Sequence, residues 1–204
     1  MRGDGWMTSN RDRRRFRTYA RCCLVGSGLH DGGEAVRIRS SHTYRGGVDA
    51  VFEAMTSPSV VSAKQTAVGA VQVAVVEHSR QGGVVSLHTC RQVRLDLHGC
   101  FRQAASGHYL IHARDEWDQP TSRTTRTGVW EVVAEGVPLV AGGTLHLTSV
   151  ADNESRLEII GDVMRSSPFA SERLATCFGL ELERSMRAEA AYVDGLLTSS
   201  WTIG

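Results

Sequence analysis

The run AVRIRSSHTY, beginning at Ala35, sets Val36 and Ile38 against Arg37 and Arg39, the two-residue alternation of a half-buried strand. After Gly46-Gly47 the period changes. Val48, Val51, Phe52 and Met55 fall at i, i+3, i+4 and i+7, which predicts an apolar stripe on a short helix with Asp49 in its positive first turn. Thr56-Ser57-Pro58 ends that helix and opens another, Ser57 as N-cap and Pro58 at the first helical position. Past Gly69 the alternation returns as strands in series. Val71, Val73 and Val75 share a face; Gln81-Gly82-Gly83 turns the chain; Val85, Leu87, Thr89, Arg91 and Val93 share the next face. HYLIHARDEW places Tyr109, Ile111, Ala113, Asp115 and Trp117 on one face, read as inward. Three more strands surround TTRTGVWEV, GGTLHLTSV and RLEIIGDVM, with Asp152-Asn153 as the hairpin turn between the last two. Parity gathers Leu145, Leu147, Leu157, Ile159 and Val163 inside. The segment LDLHGCFRQAASG fits no period.

The last element is helical. Ser167-Pro168 marks its start and the pattern runs to about Asp194, a length of roughly 40 Å at 1.5 Å per residue. Leu174, Phe178, Leu182, Ser185, Glu189, Val193 and Leu196 form one stripe, and Arg173, Arg184 and Arg187 face away from it. Gly179 disfavours the helix by about 1 kcal/mol relative to Ala, which points to a bend or a close approach to the sheet. Residues 1–34, rich in Gly, Ser and Arg, are expected to form a disordered extension, and 199–204 a short tail. The chain between them, 35–198, reads as an α+β domain. Its order is one strand, two short helices, six strands, most of them sequential and therefore antiparallel neighbours, and one long amphipathic helix.

That order resembles the START-like, helix-grip superfamily, in which a seven-stranded antiparallel sheet wraps a long C-terminal helix and two short helices after the first strand close one end of the groove. Within it, SHTYRGGVDAVFEAMTSPSVVSAKQTAVGAVQVAVVEH, DEW and GVPLVAGGTLHL resemble a family of bacterial proteins with no assigned reaction, over roughly residues 36 to 198. The superfamily includes lipid carriers, hormone receptors and polyketide cyclases. The resemblance therefore implies a cavity between sheet and helix, not a particular chemistry.

Composition narrows the partners. The 204 residues carry a formal net charge of +1, which argues against a specific nucleic-acid binder. Of the 23 basic residues only Lys64 is a lysine, a bias that suggests a GC-rich bacterial genome. Arg11, Arg13, Arg14, Arg15 and Arg17 form a charge run read as a solvated tail. The cysteines, Cys22, Cys23, Cys90, Cys100 and Cys177, have neither scaffold nor CxxC spacing, and no segment approaches the ~20 apolar residues of a membrane span. The expected location is the cytoplasm.

No nucleophile elbow, HExxH helix, phosphate loop or GxGxxG turn is present. His88-x-Cys90 and His98-x-Cys100 have a spacing that could place ligands on a strand face, but parity turns His88 and Cys90 outward, and no metal or other cofactor is expected. Glu189 is the telling residue. A carboxylate within an apolar stripe needs either a partner, for which inward-facing Arg91 is the candidate, or a helix end that overhangs the sheet into water. The expected site is an apolar cavity for a small hydrophobic ligand, lined by Tyr109, Ile111, Trp117, Leu147, Ile159, Phe178 and Leu182 with Arg91 and Glu189. Gly128, Gly143 and Gly161 are expected to thin the sheet and leave it unfilled. The alternative is a cyclase or hydrolase acting on a hydrophobic carbonyl compound, with Glu189 or Asp115 as general base and Arg91 polarising the carbonyl.

Overall fold

A computed structural model describes residues 35–95, 97 and 107–199. The extension 1–34, the pair His98 and Cys100 and nearly all of the aperiodic segment lie outside the described residues. Strands β1 (Val36–Tyr44), β2 (Val71–Gln81), β3 (Val84–Arg94), β4 (His108–Trp117), β5 (Thr125–Ala134), β6 (Leu139–Ala151) and β7 (Glu154–Arg165) form one sheet. Its helices are α1 (Val48–Thr56), α2 (Pro58–Ala67) and α3 (Glu172–Ser199). All strand pairs are antiparallel in the order β1-β7-β6-β5-β4-β3-β2.

This is a helix-grip fold, with the long helix lying along β1 and β7 in the groove of the sheet. The two-residue hairpin at Gly82-Gly83 has positive φ at both positions (58° and 79°), the geometry that matches the sheet twist and favours glycine. Since β1 and β2 occupy opposite edges, α1 and α2 must carry the chain from one edge to the other. On the way they cover the groove. Phe52 on α1 meets Trp117 edge-on at 5.5 Å, and Val48 and Val51 are buried beside it.

Three local expectations change. The final helix begins at Glu172, not at Ser167-Pro168; the hydroxyl of Ser171 accepts from Leu174 N at 3.1 Å, while Ser167 and Pro168 form a turn before it. Register shifts in β2 fall between Val71 and Ala74 and between Val75 and Glu77, so Val71 leaves the face of Val73 and Val75 and is 48% exposed. The glycines do not leave space. A Cβ on Gly143 would lie 2.0 Å from the Ile160 oxygen, and one on Gly128 2.6 Å from the Glu116 oxygen. These positions let adjacent strands bend tightly toward one another. Above Gly161 the room is taken by the Trp130 ring, 2.7 Å from where a Cβ would stand.

Candidate functional site

The register of the strands divides the groove into three zones. One end, at the rung Val85–Trp117–Gly128, is plugged by Phe52 from α1. Toward the other end, Tyr109 and Ile111 on β4 are buried in the same apolar cluster as Leu174 and Phe178 of α3. Between these ends lies a cavity of about 90 Å³, under α2 and the second half of α3. At ~10–15 Å³ per water this is room for a handful of waters. Its apolar walls include Val132, Leu145, Leu157, Ile159, Leu182 and Val193.

One side of the cavity is charged. On α2 the buried Val61 is followed three and four residues later by Lys64 and Gln65, so all three share the inward helical face. Lys64 Nζ stands 3.1 Å from Glu189 Oε2, and Arg91 Nη2 from β3 stands 3.8 Å from Glu189 Oε1. Ser185, one helical turn before Glu189, donates to the same Oε1 at 3.1 Å. Burial by itself would raise the Glu189 pKa, but the Lys64 and Arg91 charges, with hydrogen bonds from Lys64 and Gln65, hold it below the usual carboxylate value. The Glu189 carboxylate is therefore tied down as an anion.

Asp115 on β4 completes the group and behaves differently. Burial is the largest influence and Glu189 adds repulsion; against the attraction of Lys64 and Arg91 the two raise its pKa from 3.8 to about 6. Two carboxylates and two cations thus share one wall, with one carboxylate held ionised and the other close to neutral pH. Nearby, Tyr44 is buried against the same helix, and burial together with Glu189 and Asp194 raises its hydroxyl pKa.

Of the residues expected to line the cavity, Arg91, Ile159, Leu182 and Glu189 do so. Tyr109, Ile111, Trp117, Leu147 and Phe178 do not; they are buried in the packed core, because Trp117 and Leu147 lie toward the α1 plug and the others beyond the opposite end. Parity was right for these residues but says nothing about where along the groove the packing stops. Glu189 pairs with Arg91, though at 3.8 Å, and more closely, at 3.1 Å, with Lys64, whose part in the site the periods of the strands and of α3 do not signal. Lys64 and Gln65 could have been found from their spacing to Val61, and His42 and Tyr44 from continuing the β1 alternation beyond Ile38. On the convex side, His88 and Cys90 face away from the groove, and the His88 ring lies 5.7 Å from that of His112. Among the described residues no group of three or more His, Cys, Asp or Glu could hold a metal ion, and no helix is long and apolar enough to cross a membrane.

No curated protein matches the sequence. Among solved structures, the Zhui aromatase/cyclase from Streptomyces sp. R1128 superposes with a TM-score of 0.54 at 12% identity, covering 79% of this chain and 93% of that one. Protein Ms6760 from Mycobacterium smegmatis gives 0.52 at 12% identity, with 85% and 98% covered. A START superfamily protein from the same organism gives 0.50 at 9% identity, with 80% and 99% covered. At such identities the likeness establishes a shared fold. Closer kinship comes from a family model that spans residues 39–197, from within β1 to the last turn of α3, and on that match the chain belongs to the family described as "Protein of unknown function (DUF2505)".

Proposed function

We propose that this protein binds a small, mainly hydrophobic ligand in the cavity between the sheet and α3. The observation that carries this is the cavity itself: a space walled by Val132, Leu145, Leu157, Ile159 and Leu182 between the sheet and the long helix. Each Å² of apolar ligand surface removed from water contributes about 25 cal/mol, so a ring-sized ligand suffices for useful affinity, while a few polar groups set its orientation. The START superfamily protein that shares the fold supports a binding role by analogy. Native mass spectrometry of protein taken directly from cells, combined with uptake of an apolar fluorescent dye, tests the reading. A co-purifying small molecule displaced by the dye is expected; absence of both ends the carrier hypothesis.

A second reading, an enzyme acting on a hydrophobic carbonyl compound, is favoured by Asp115. Its carboxyl faces the cavity with a pKa of about 6, suited to taking up and releasing a proton near neutral pH. Glu189 is the poorer base, since Lys64 and Arg91 stabilise its anion. A solved structure of the same fold is named an aromatase/cyclase, which supports this reading by analogy. Turnover of a polyketone panel that disappears in Asp115→Asn and persists in Ile159→Val is the expected result; a panel with no turnover by the wild-type protein removes this reading.

A further inference from the structure

Asp115 is a carboxyl that the fold leaves unbonded. On its rung of the sheet it stands between Leu87 of β3 and Trp130 of β5, both of which border the cavity, so register turns it inward. Among the described residues no hydrogen bond and no ion pair reaches its oxygens. They are not sealed off either. The residue keeps accessible surface, and its oxygens, unlike the partnerless His42 Nε2, Gln65 Oε1, Arg91 Nε and Trp130 Nε1, are not enclosed by protein atoms. The other charges of this wall are already engaged with one another. Glu189 Oε2 faces Lys64 at 3.1 Å, and Glu189 Oε1 accepts from Ser185 at 3.1 Å and faces Arg91 at 3.8 Å. A carboxylate open toward an apolar space carries a desolvation cost that a hydrogen-bond donor arriving in that space would recover.

Charge selects the kind of donor. The charged groups around Asp115 are Lys64 from α2, Arg91 from β3 and Glu189 from α3, and His42 and Tyr44 of β1 border the same cavity. An acidic head would add a third anion to Glu189 and Asp115, and an ammonium head a third cation to Lys64 and Arg91. A neutral O–H adds neither. An ionised carboxylate can only accept, and its bond from a neutral donor is about twice as strong as one between neutral groups. We propose that the cavity selects a hydroxyl-bearing apolar molecule, an alcohol or phenol, whose O–H donates to the Asp115 carboxylate while its body packs against Leu145, Leu157, Ile159 and Leu182. Such donation favours the ionised acid, so binding lowers the Asp115 pKa from about 6 and releases protons near that pH. A carbonyl-type head does the reverse: the protonated acid donates to it, and binding takes protons up. The proposal deepens the hydrophobic-ligand reading and rests on it.

Phenol, toluene, anisole and benzylamine, one-ring probes of similar size, separate the possibilities when titrated into the full chain by calorimetry. At about pH 8 phenol is expected to bind about tenfold more tightly than toluene or anisole, and more tightly than benzylamine, which is an ammonium there. At about pH 5 the advantage over toluene should shrink to about threefold or less, because neutral Asp115 offers only a neutral hydrogen bond. Near pH 6, titrations in two buffers of different ionisation enthalpy should show net proton release on phenol binding. Asp115→Asn should weaken phenol by about fivefold or more at about pH 8, abolish the proton release, and change toluene by less than about twofold. If that variant does not fold, the pH dependence and the proton release of the wild-type protein decide. Anisole or benzylamine binding as tightly as phenol, proton uptake in place of release, or an Asn variant that keeps the preference overturns the proposal. Toluene binding as tightly as phenol also overturns it and leaves the hydrophobic-ligand reading standing; if no probe binds, both fall.

Discussion

Replacing Asp115 with Asn should stabilise the protein, and only at neutral and alkaline pH. Burial and the neighbouring Glu189 raise the Asp115 pKa from 3.8 to about 6, so the folded protein holds this proton more tightly than the unfolded chain does. The stabilisation from that proton is complete below pH 3.8 and is lost as pH rises through about 6. A shift of about two units at 1.36 kcal/mol each means that ionised Asp115 lowers stability by about 3 kcal/mol relative to its neutral form. The Asn amide has nearly the same shape and cannot ionise, so it mimics the neutral acid at every pH. Urea unfolding of both proteins between about pH 4 and 8 measures the difference. The two should be nearly equal at pH 4, diverge between there and about pH 6 with half the difference reached near about pH 5, and differ by about 3 kcal/mol at pH 8 with the variant the more stable. Contributions from Glu189, whose lowered pKa acts at more acid pH with the opposite sign, are common to both proteins to first order and largely cancel. A difference independent of pH, or a variant less stable than the wild type at pH 8, would refute this account of Asp115. The expected outcome would identify a carboxylate kept at the expense of stability, as functional groups commonly are.

Glu189→Gln leaves Lys64 and Arg91 without their shared anion and should cost about 3 kcal/mol or more, read as a fall in the urea midpoint; a loss below about 1 kcal/mol would mean that the pair is effectively solvated. The same variant should lower the Asp115 pKa by removing its repulsion, which carboxyl-detected NMR measures directly. Phe178, fully buried and away from the cavity, should lose about 3 to 5 kcal/mol on truncation to Ala, with no recovery when α-methylstyrene is added; restoration by ligand would show the cavity extending to that turn of α3. Gly143→Ala forces a methyl against the β7 backbone, with contacts of 2.0 Å to Ile160 O and 2.5 Å to Gly161 Cα, and should lower stability by about 3 kcal/mol or more, visible as reduced Tm; an unchanged Tm would show that the strands are free to separate there.

The alternation around Val36, Val85, Tyr109, Leu145 and Leu157 was enough to assign strands and inward faces, because a strand's period of two leaves each side chain no other choice once one face is buried. The same holds for the stripe of α3 that runs through Leu174, Phe178, Leu182, Glu189 and Val193, and for the helix break at Thr56-Ser57-Pro58, which is local stereochemistry. Tertiary structure alone decided where the groove is open. Phe178 and Leu182 lie one turn apart on the same stripe, yet one is packed in the core and the other borders the cavity, since that depends on the shapes arriving from β1, α2 and the sheet. Periodicity likewise cannot show that Trp130 fills the space above Gly161, because the two residues are 31 positions apart and meet only through the β5–β6–β7 register. The partner of Glu189 shows the division most clearly. Its position in an apolar stripe announced the need for a counter-charge, but the supply of Lys64 by a short helix 125 residues earlier follows only from how α2 crosses the groove between the two edges of the sheet.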